Sequence, residues 1–508
     1  MSRIGKVMMV SAMCLLPSIL SAGDWPQFGG GDSRNMTSPE KGLPDTISVV
    51  MKRVTDTSSG GAGQLVCDVP NSRNVKWSAK LGSKTFSSPV VSAGRLLIGS
   101  NGSGDGPNDR VDRSVTTCFD TSTGKRLWQL AVPRSPANRN LERGHMLGAC
   151  STPMIVGKRA YVMGYRCDVL CLDMDGQADG NDGPFKDEAQ YCAAVGAPPV
   201  AITDADGDIV WRYDIEAELK LAPHDACASS PLVVGDLLYV ATGNGVNQGH
   251  SVCDTPDAPS LIVLDAKTGQ LVGKDDEKIG RRVFHGDWSS PSLGTVNGQA
   301  QLLFGGGDGL CYAFDPAPVK APGEKVGILK KLWSFDANEG NKRGASEVLT
   351  TPVCHNNRVY VTIGQDWTHG RGRGVVHCID ATKTGDITQT GKIWSYYEID
   401  RSVSGISIAD GLVYVGDATG KLHCLDAETG KPFWVMDFKR GFWSASLVAD
   451  GKVYIGDSEG VLHIMAAGKE MKTLCDAKMG GSSPIVSSPI AADGVLYVAT
   501  WTHLFAVK

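Results

Sequence analysis

No charge of either sign dominates this chain. In 508 residues, 50 Lys and Arg stand against 55 Asp and Glu, for a formal net charge of −5. Without a basic field there is little to draw a phosphate backbone, which argues against nucleic acid as a partner. Long apolar runs are also missing. The best of them, Val7 to Leu20, is interrupted by Pro17 and falls short of the roughly 20 residues a membrane span needs. The absent Gly-X-Y period, the absent heptads and the 42% hydrophobic content exclude collagen-like, coiled-coil and disordered classes. No Cys-x-x-Cys-His haem site, no Cys/His spacing suited to zinc and no Gly-x-Ser-x-Gly nucleophile elbow occurs.

Glycine is what the chain has in excess: 62 of 508 residues, against a usual ~7%. An interior Gly costs a helix roughly 0.5–1 kcal/mol, so such a composition fits many tight turns between short strands. Residues 1–23 read as an export signal. Arg3 and Lys6 precede the apolar stretch, and Ser21-Ala22-Gly23 offers small residues for cleavage. The mature protein is expected to be periplasmic or secreted, without a membrane span, and monomeric. Of 14 cysteines, Cys14 lies in the signal, which leaves an odd thirteen. Cys118, Cys171, Cys378 and Cys424 each stand two residues before an Asp and read as small buried side chains. Cys67, Cys192 and Cys253 lie in loop-like sequence and are the candidate disulfide formers.

Self-similarity is the strongest signal. A turn followed by an alternating strand begins at Gly94, Gly157, Gly235, Gly298, Asn357, Gly411, Gly451 and Gly494. Ahead of each lies a short strand, led in by Ser/Thr-Pro at Pro89, Pro153, Pro231, Pro291, Pro352 and Pro489, with Ile406 and Ser446 at the two other positions. A four-stranded unit of roughly 40 residues is the signature of a propeller blade. The eighth unit ends at Lys508 after three strands, and an orphan strand, Asn74 to Leu81 with Trp77, precedes the first. The expectation is an all-β, eight-bladed β-propeller whose ring the N-terminal strand closes. It would span 74–508, with 24–73 as an N-terminal extension.

The tail of each unit carries a resemblance. Asp120-Thr-Ser-Thr-Gly124-Lys-Arg-Leu-Trp128 and Asp426-Ala-Glu-Thr-Gly430-Lys-Pro-Phe-Trp434 resemble the tryptophan-docking repeat of quinoprotein alcohol dehydrogenase-like propellers. Trp77, Trp211, Trp333 and Trp394 extend the set, while Asp265 to Gly269 keeps the turn but has Gly273 where Trp is expected. The opening Asp24-Trp-Pro-Gln-Phe-Gly29 is similar to the start of many exported bacterial members. The resemblance implies one of two roles. One is a dehydrogenase using pyrroloquinoline quinone (PQQ) and calcium; the other is a cofactor-free binding propeller, such as the scaffold lipoprotein of the outer-membrane barrel-assembly machinery.

Residues for either role can be named. Thr242-Gly-Asn244 resembles the segment by which the dehydrogenases supply an Asn ligand to calcium. Phe284-His-Gly-Asp287-Trp288-Ser289 resembles their catalytic run, with Asp287 displaced and Ser289 where the catalytic Asp is expected; their adjacent Cys pair is missing. The acidic loop Asp173 to Asp182 departs from the EF-hand template at Gln177 and Ala178. Propeller geometry gathers equivalent loops at one channel mouth. The lead-ins to the inner strands contribute His145, His224, His285, Trp288, Arg343, Arg401, Arg440 and Trp443. The reading favoured by the residues is a binding or scaffold propeller. It would take a small anionic or sugar-like ligand, or a protein partner, at that mouth; the alternative is the PQQ- and calcium-dependent oxidoreductase.

Overall fold

A computed structural model describes residues 23–54, 64–102, 112–136, 138–141, 146–339, 345–364 and 374–508. Residues 1–22 of the proposed signal segment, His145 and Arg343 lie outside these residues. Eight antiparallel four-stranded sheets follow one another in chain order, as the repeat predicts. Blade 1 is Val90–Ser92, Arg95–Ser100, Arg113–Asp120 and Arg126–Pro133. The inner strands of blades 2 to 7 begin at Met154, Leu232, Ser292, Val353, Ser407 and Leu447. Blade 8 has only three C-terminal strands, Ile490–Ala492, Val495–Ala499 and His503–Val507. Its fourth is Val75–Lys80, antiparallel to the last strand from His503↔Lys80 to Val507↔Val75. That pairing closes the ring and removes the edges an open propeller would expose.

The Ser/Thr-Pro lead-ins have a structural reason. Backbone amides donate around the channel from blade to blade: Ala445 to Ser488 Oγ (3.0 Å), Ser488 to Ser88 Oγ (2.9 Å), Ser88 to Thr152 Oγ1 (3.0 Å), Thr152 to Ser230 Oγ (3.1 Å) and Ser230 to Ser290 Oγ (2.9 Å). Each hydroxyl satisfies an amide that the crowded channel wall would otherwise bury without a partner. Antiparallel order also fixes the two faces of the ring. The lead-ins and the loops between second and third strands share one, here the lead-in face; the remaining turns share the other, the turn face.

Apolar clusters lie between neighbouring blades, joining for example Trp211 to Ile262 and Leu264, and Trp333 to Val359 and Val361. The docking tryptophans hold these interfaces from outside. Nε1 of Trp77, Trp128, Trp211, Trp394 and Trp434 donates to the carbonyl of Thr121, Met174, Ala266, Ala427 and Gly468, each on the next blade, at 2.9–3.2 Å. Blade 3 lacks its Trp because other residues fill the space. Gly327–Ile328 pairs with Gly273–Lys274 as an extra strand, and a Cβ on Gly273 would lie 2.6 Å from Pro318.

Residues 23–40 enter the channel from the turn face. Trp25 exchanges both backbone hydrogen bonds with Val91 of blade 1, at 2.8 Å each. Pro26 and Asp32 carbonyls accept from Ile155 and Leu293, Asn35 pairs with Ile408, and Thr37–Ser38 runs parallel to Val448–Ala449. The inner strands of blades 1, 2, 4, 6 and 7 therefore meet this one segment. Arg34 is fully buried within it, its guanidinium donating to the carbonyls of Phe28, Pro231 and Pro291 at 2.7–3.1 Å. Burial lowers its pKa to about 10, which still leaves it charged at neutral pH. Gly29 is required at the bend: its φ is 75°, and a Cβ there would meet the Arg34 backbone at 2.5 Å.

The expected disulfides do not form. Cys67, Cys192 and Cys253 are each unbridged thiols. Cys67 sits 3.6 Å from the Ser72 hydroxyl, and Cys253 Sγ donates to Asn244 Oδ1 at 3.4 Å. The four repeated cysteines are buried, as their position in the repeat predicts.

Candidate functional site

On the lead-in face, blades 3 and 4 bring their loops into direct contact. The chain reaches blade 3 through the short helix Ile215–Leu219, capped by Asp214 and ended by left-handed Lys220. Leu221-Ala-Pro then delivers His224, whose amide bonds to the Gly243 carbonyl at 2.9 Å. Across from it, Val246 donates to the His285 carbonyl (2.7 Å), beside a bridge between Gly245 and Gly286. A Cβ on Gly245 would come 2.4 Å from the His285 carbonyl oxygen and 2.7 Å from the His224 Cβ, so only glycine lets the loops meet.

That meeting places His224 Nε2 2.6 Å from His285 Nε2, both rings buried. His224 Nδ1 lies 2.7 Å from the Val246 carbonyl, and His285 Nδ1 lies 3.8 Å from Oε1 of Glu347, which is fully buried. A third histidine, His250, comes from the exposed loop of blade 3, with ring centroids 4.9 Å from His224 and 5.3 Å from His285. Trp288 forms a wall, edge-on to His285 at 4.9 Å and stacked on His224 at 6.2 Å. Sequence reading missed His250, because it looked only at the lead-ins; the Gly-His-Ser at 249–251 sits in a different loop class.

Asp287 is fully buried beneath this group, its Oδ1 accepting from the Gly307 amide at 2.7 Å. Burial pushes its pKa up to about 8, with the Ser260 hydroxyl and the Gly307 amide opposing. Burial thus favours its protonated form. Ser289 is buried, donating to the Thr350 carbonyl at 2.9 Å. Arg401 lies in the lead-in to blade 6, and Arg440 and Trp443 in that to blade 7, on the same face. The positive charge expected there is offset in part: Arg440 pairs with Glu459 at 2.7 Å, and Arg401 Nε lies 4.0 Å from Asp400.

Calcium was the metal expected at Asn244. That amide is spent on its own loop. Nδ2 donates to the carbonyls of Thr255 (3.1 Å) and Ala258 (3.4 Å), and Oδ1 accepts from the Thr255 hydroxyl (3.2 Å) and Cys253. Among the described residues, carboxylates cluster with ligand-like spacing only at Asp173, Asp175 and Asp179, in blade 2. There Arg159 pairs with Asp173, and Arg95 and Lys158 with Asp175. With its Oδ1 and Nδ2 both engaged in its own loop, Asn244 does not fit as a calcium ligand.

Blade number, closure and docking turns define the class: this is an eight-bladed β-propeller, and its repeats are similar to those of PQQ-repeat propellers. A family model described as outer membrane protein assembly factor BamB matches residues 39–183 and 372–470. Polyvinylalcohol dehydrogenase of Sphingopyxis sp. (strain 113P3) is 24% identical over 372 residues, covering 64% of this chain and 51% of that protein. BamB of Burkholderia pseudomallei (strain K96243) is 27% identical over 217 residues, covering 40% and 41%. The chain thus spans about half the length, or less, of the curated relatives it matches. In structure, the quinohemoprotein alcohol dehydrogenase of Comamonas testosteroni superposes with a TM-score of 0.57 at 14% identity, over 95% of this chain and 80% of that one, a likeness of fold. Among the described residues, no helix is long and apolar enough to cross a membrane.

Proposed function

We propose that this chain is an exported binding propeller that takes a small anionic or sugar-like ligand, or a protein partner, on its lead-in face. One observation carries the reading. Residues 23–40 occupy the channel from the turn face, bonded to the inner strands from Trp25 to Ser38, so the concave end left for a ligand is the lead-in end. Trp288 and Trp443 offer flat surfaces there, and Arg401 offers charge. The buried hydroxyl of Ser289 and the spent amide of Asn244 support a binding role over a dehydrogenase. A second reading, a PQQ-dependent oxidoreductase, draws on Asp287, a buried carboxyl beside Trp288 with its pKa raised to about 8.

The two separate cleanly. Titration of the purified protein with PQQ and calcium is expected to give no saturable quench of tryptophan fluorescence and no alcohol-dependent dye reduction. A photo-crosslinking residue at Trp443, on the lead-in face, is expected to give a discrete adduct in the producing cell, and one at Asp493, on the turn face, none. Saturable quinone binding with dye reduction, or an adduct from Asp493 alone, would overturn the proposal.

A further inference from the structure

Buried His224 and His285 aim the same ring nitrogen at each other, Nε2 to Nε2. We propose that His224, His250 and His285 form a three-histidine centre for one borderline divalent transition metal ion, of the zinc or copper kind. One ring nitrogen from each lies within 4.8 Å of the others.

The His224 tautomer points the same way. A carbonyl oxygen only accepts, so His224 Nδ1, 2.7 Å from the Val246 carbonyl, carries the hydrogen and leaves the Nε2 lone pair facing His285. His285 turns its Nδ1 toward the Glu347 carboxylate at 3.8 Å, beyond hydrogen-bond length but close enough to favour positive charge on the ring or on an ion it binds. A backbone carbonyl behind one ligand and a carboxylate behind another is the usual outer arrangement of metal-bound histidines. At 2.6 Å the two Nε2 atoms need a positive centre between them, either a proton shared as a hydrogen bond or a metal ion that displaces it. Metal–nitrogen bonds of about 2.0–2.1 Å in tetrahedral geometry set neighbouring nitrogens about 3.3 Å apart. An ion would spread the buried pair by about 0.7 Å and draw in His250, which its exposed loop allows.

Donor chemistry selects the metal. Imidazole nitrogens suit zinc, copper and nickel, whereas calcium takes oxygen ligands. Three protein ligands leave a fourth position, which Trp288 flanks, and such an open position is what metal sites use to bind an exogenous anion or activate water. This inference rests on the lead-in-face reading only for the ion being reachable from solution.

The test uses the mature chain, stripped with EDTA, with any affinity tag removed. Calorimetric titration with Zn2+ is expected to show one ion per chain and with Ca2+ none; Cu2+ is expected to show nitrogen superhyperfine structure by electron paramagnetic resonance. His250→Ala, on an exposed loop outside the blade cores, should weaken Zn2+ binding at least tenfold. Glu347→Gln, a positioning change, should weaken it about 10- to 100-fold. No bound Zn2+, or binding unchanged in His250→Ala, overturns the centre. A quinone response in the titration above would instead overturn the binding role, whatever the zinc result.

Discussion

Cys118 and Trp128 face each other across the outer two strands of blade 1, at the residue where a β-bulge begins. The pairing recurs as Cys171 with Trp211, Cys378 with Trp394 and Cys424 with Trp434, with the bulge at the same place each time. A small side chain opposite the indole and a local kink in the ladder let the ring lean onto the next blade. Gly124, Gly269 and Gly430 complete the fit: a Cβ on any of them would sit 2.5–2.6 Å from the ring of the preceding blade's Trp.

The docking tryptophans should therefore dominate blade-to-blade stability. Trp128→Ala is expected to cost about 3–5 kcal/mol in denaturant unfolding, the range for a large buried aromatic. An unchanged midpoint would mean the interface does not depend on that ring.

Removing residues 24–82 takes away both the channel segment and the closing strand. His503–Val507 is then a bare edge of five buried residues. Light scattering should report larger and more heterogeneous assemblies than the parent chain forms. A deletion variant that assembles no further than the parent and melts at the parent temperature would contradict ring closure.

Arg34→Met keeps the bulk of the side chain but deletes every donor. The carbonyls of Phe28, Pro231 and Pro291 would lose their partner. At about 1–3 kcal/mol for each buried group left unsatisfied, a loss of at least 3 kcal/mol is expected from chemical denaturation. Retained stability would show that water or a shifted backbone replaces the guanidinium.

His377 gives a pH signature. It is buried, bonded to Ser395 Oγ and the Ala337 carbonyl at 2.8 Å each, and burial pushes its pKa down to about 4 from 6.5. The unfolded chain binds the proton more readily, so this stabilisation is present above pH 6.5 and is lost as pH falls toward 4. The shift corresponds to about 3 kcal/mol. Subtracting the stability–pH curve of His377→Gln from that of the parent isolates the contribution. A difference that stays flat between pH 4 and 6.5 would refute it.

The periodic parts of this fold are visible in its sequence. Ser/Thr-Pro, the Gly turns and Asp-x-x-Thr-Gly…Trp recur because every blade solves the same packing problem, so eight copies and the orphan Trp77 strand suffice to infer a closed ring. What occurs once is not legible that way. Arg34 and Trp25 lie in an aperiodic extension, and nothing local says that Arg34 binds carbonyls of Pro231 and Pro291, some two hundred residues away or more. The site was half legible. His224, His285, Asp287 and Trp288 converge as the lead-in pattern implies, but His250 comes from a loop outside that pattern. The expected disulfides rested on loop-like sequence alone, which says nothing of whether two Cα atoms lie within about 7 Å.

Amide hydrogen exchange of the intact chain tests the central claim most directly, that an N-terminal segment closes one end of the channel and leaves the lead-in end for ligands. The amide of Trp25, and the inner-strand amides of Ile155, Leu293 and Val448 that bond to this segment, should exchange as slowly as those of the Val495–Ala499 strand. Exchange at the rate of an unstructured tail across 24–38, with those inner-strand amides equally fast, would mean the channel is open at both ends and would contradict the account.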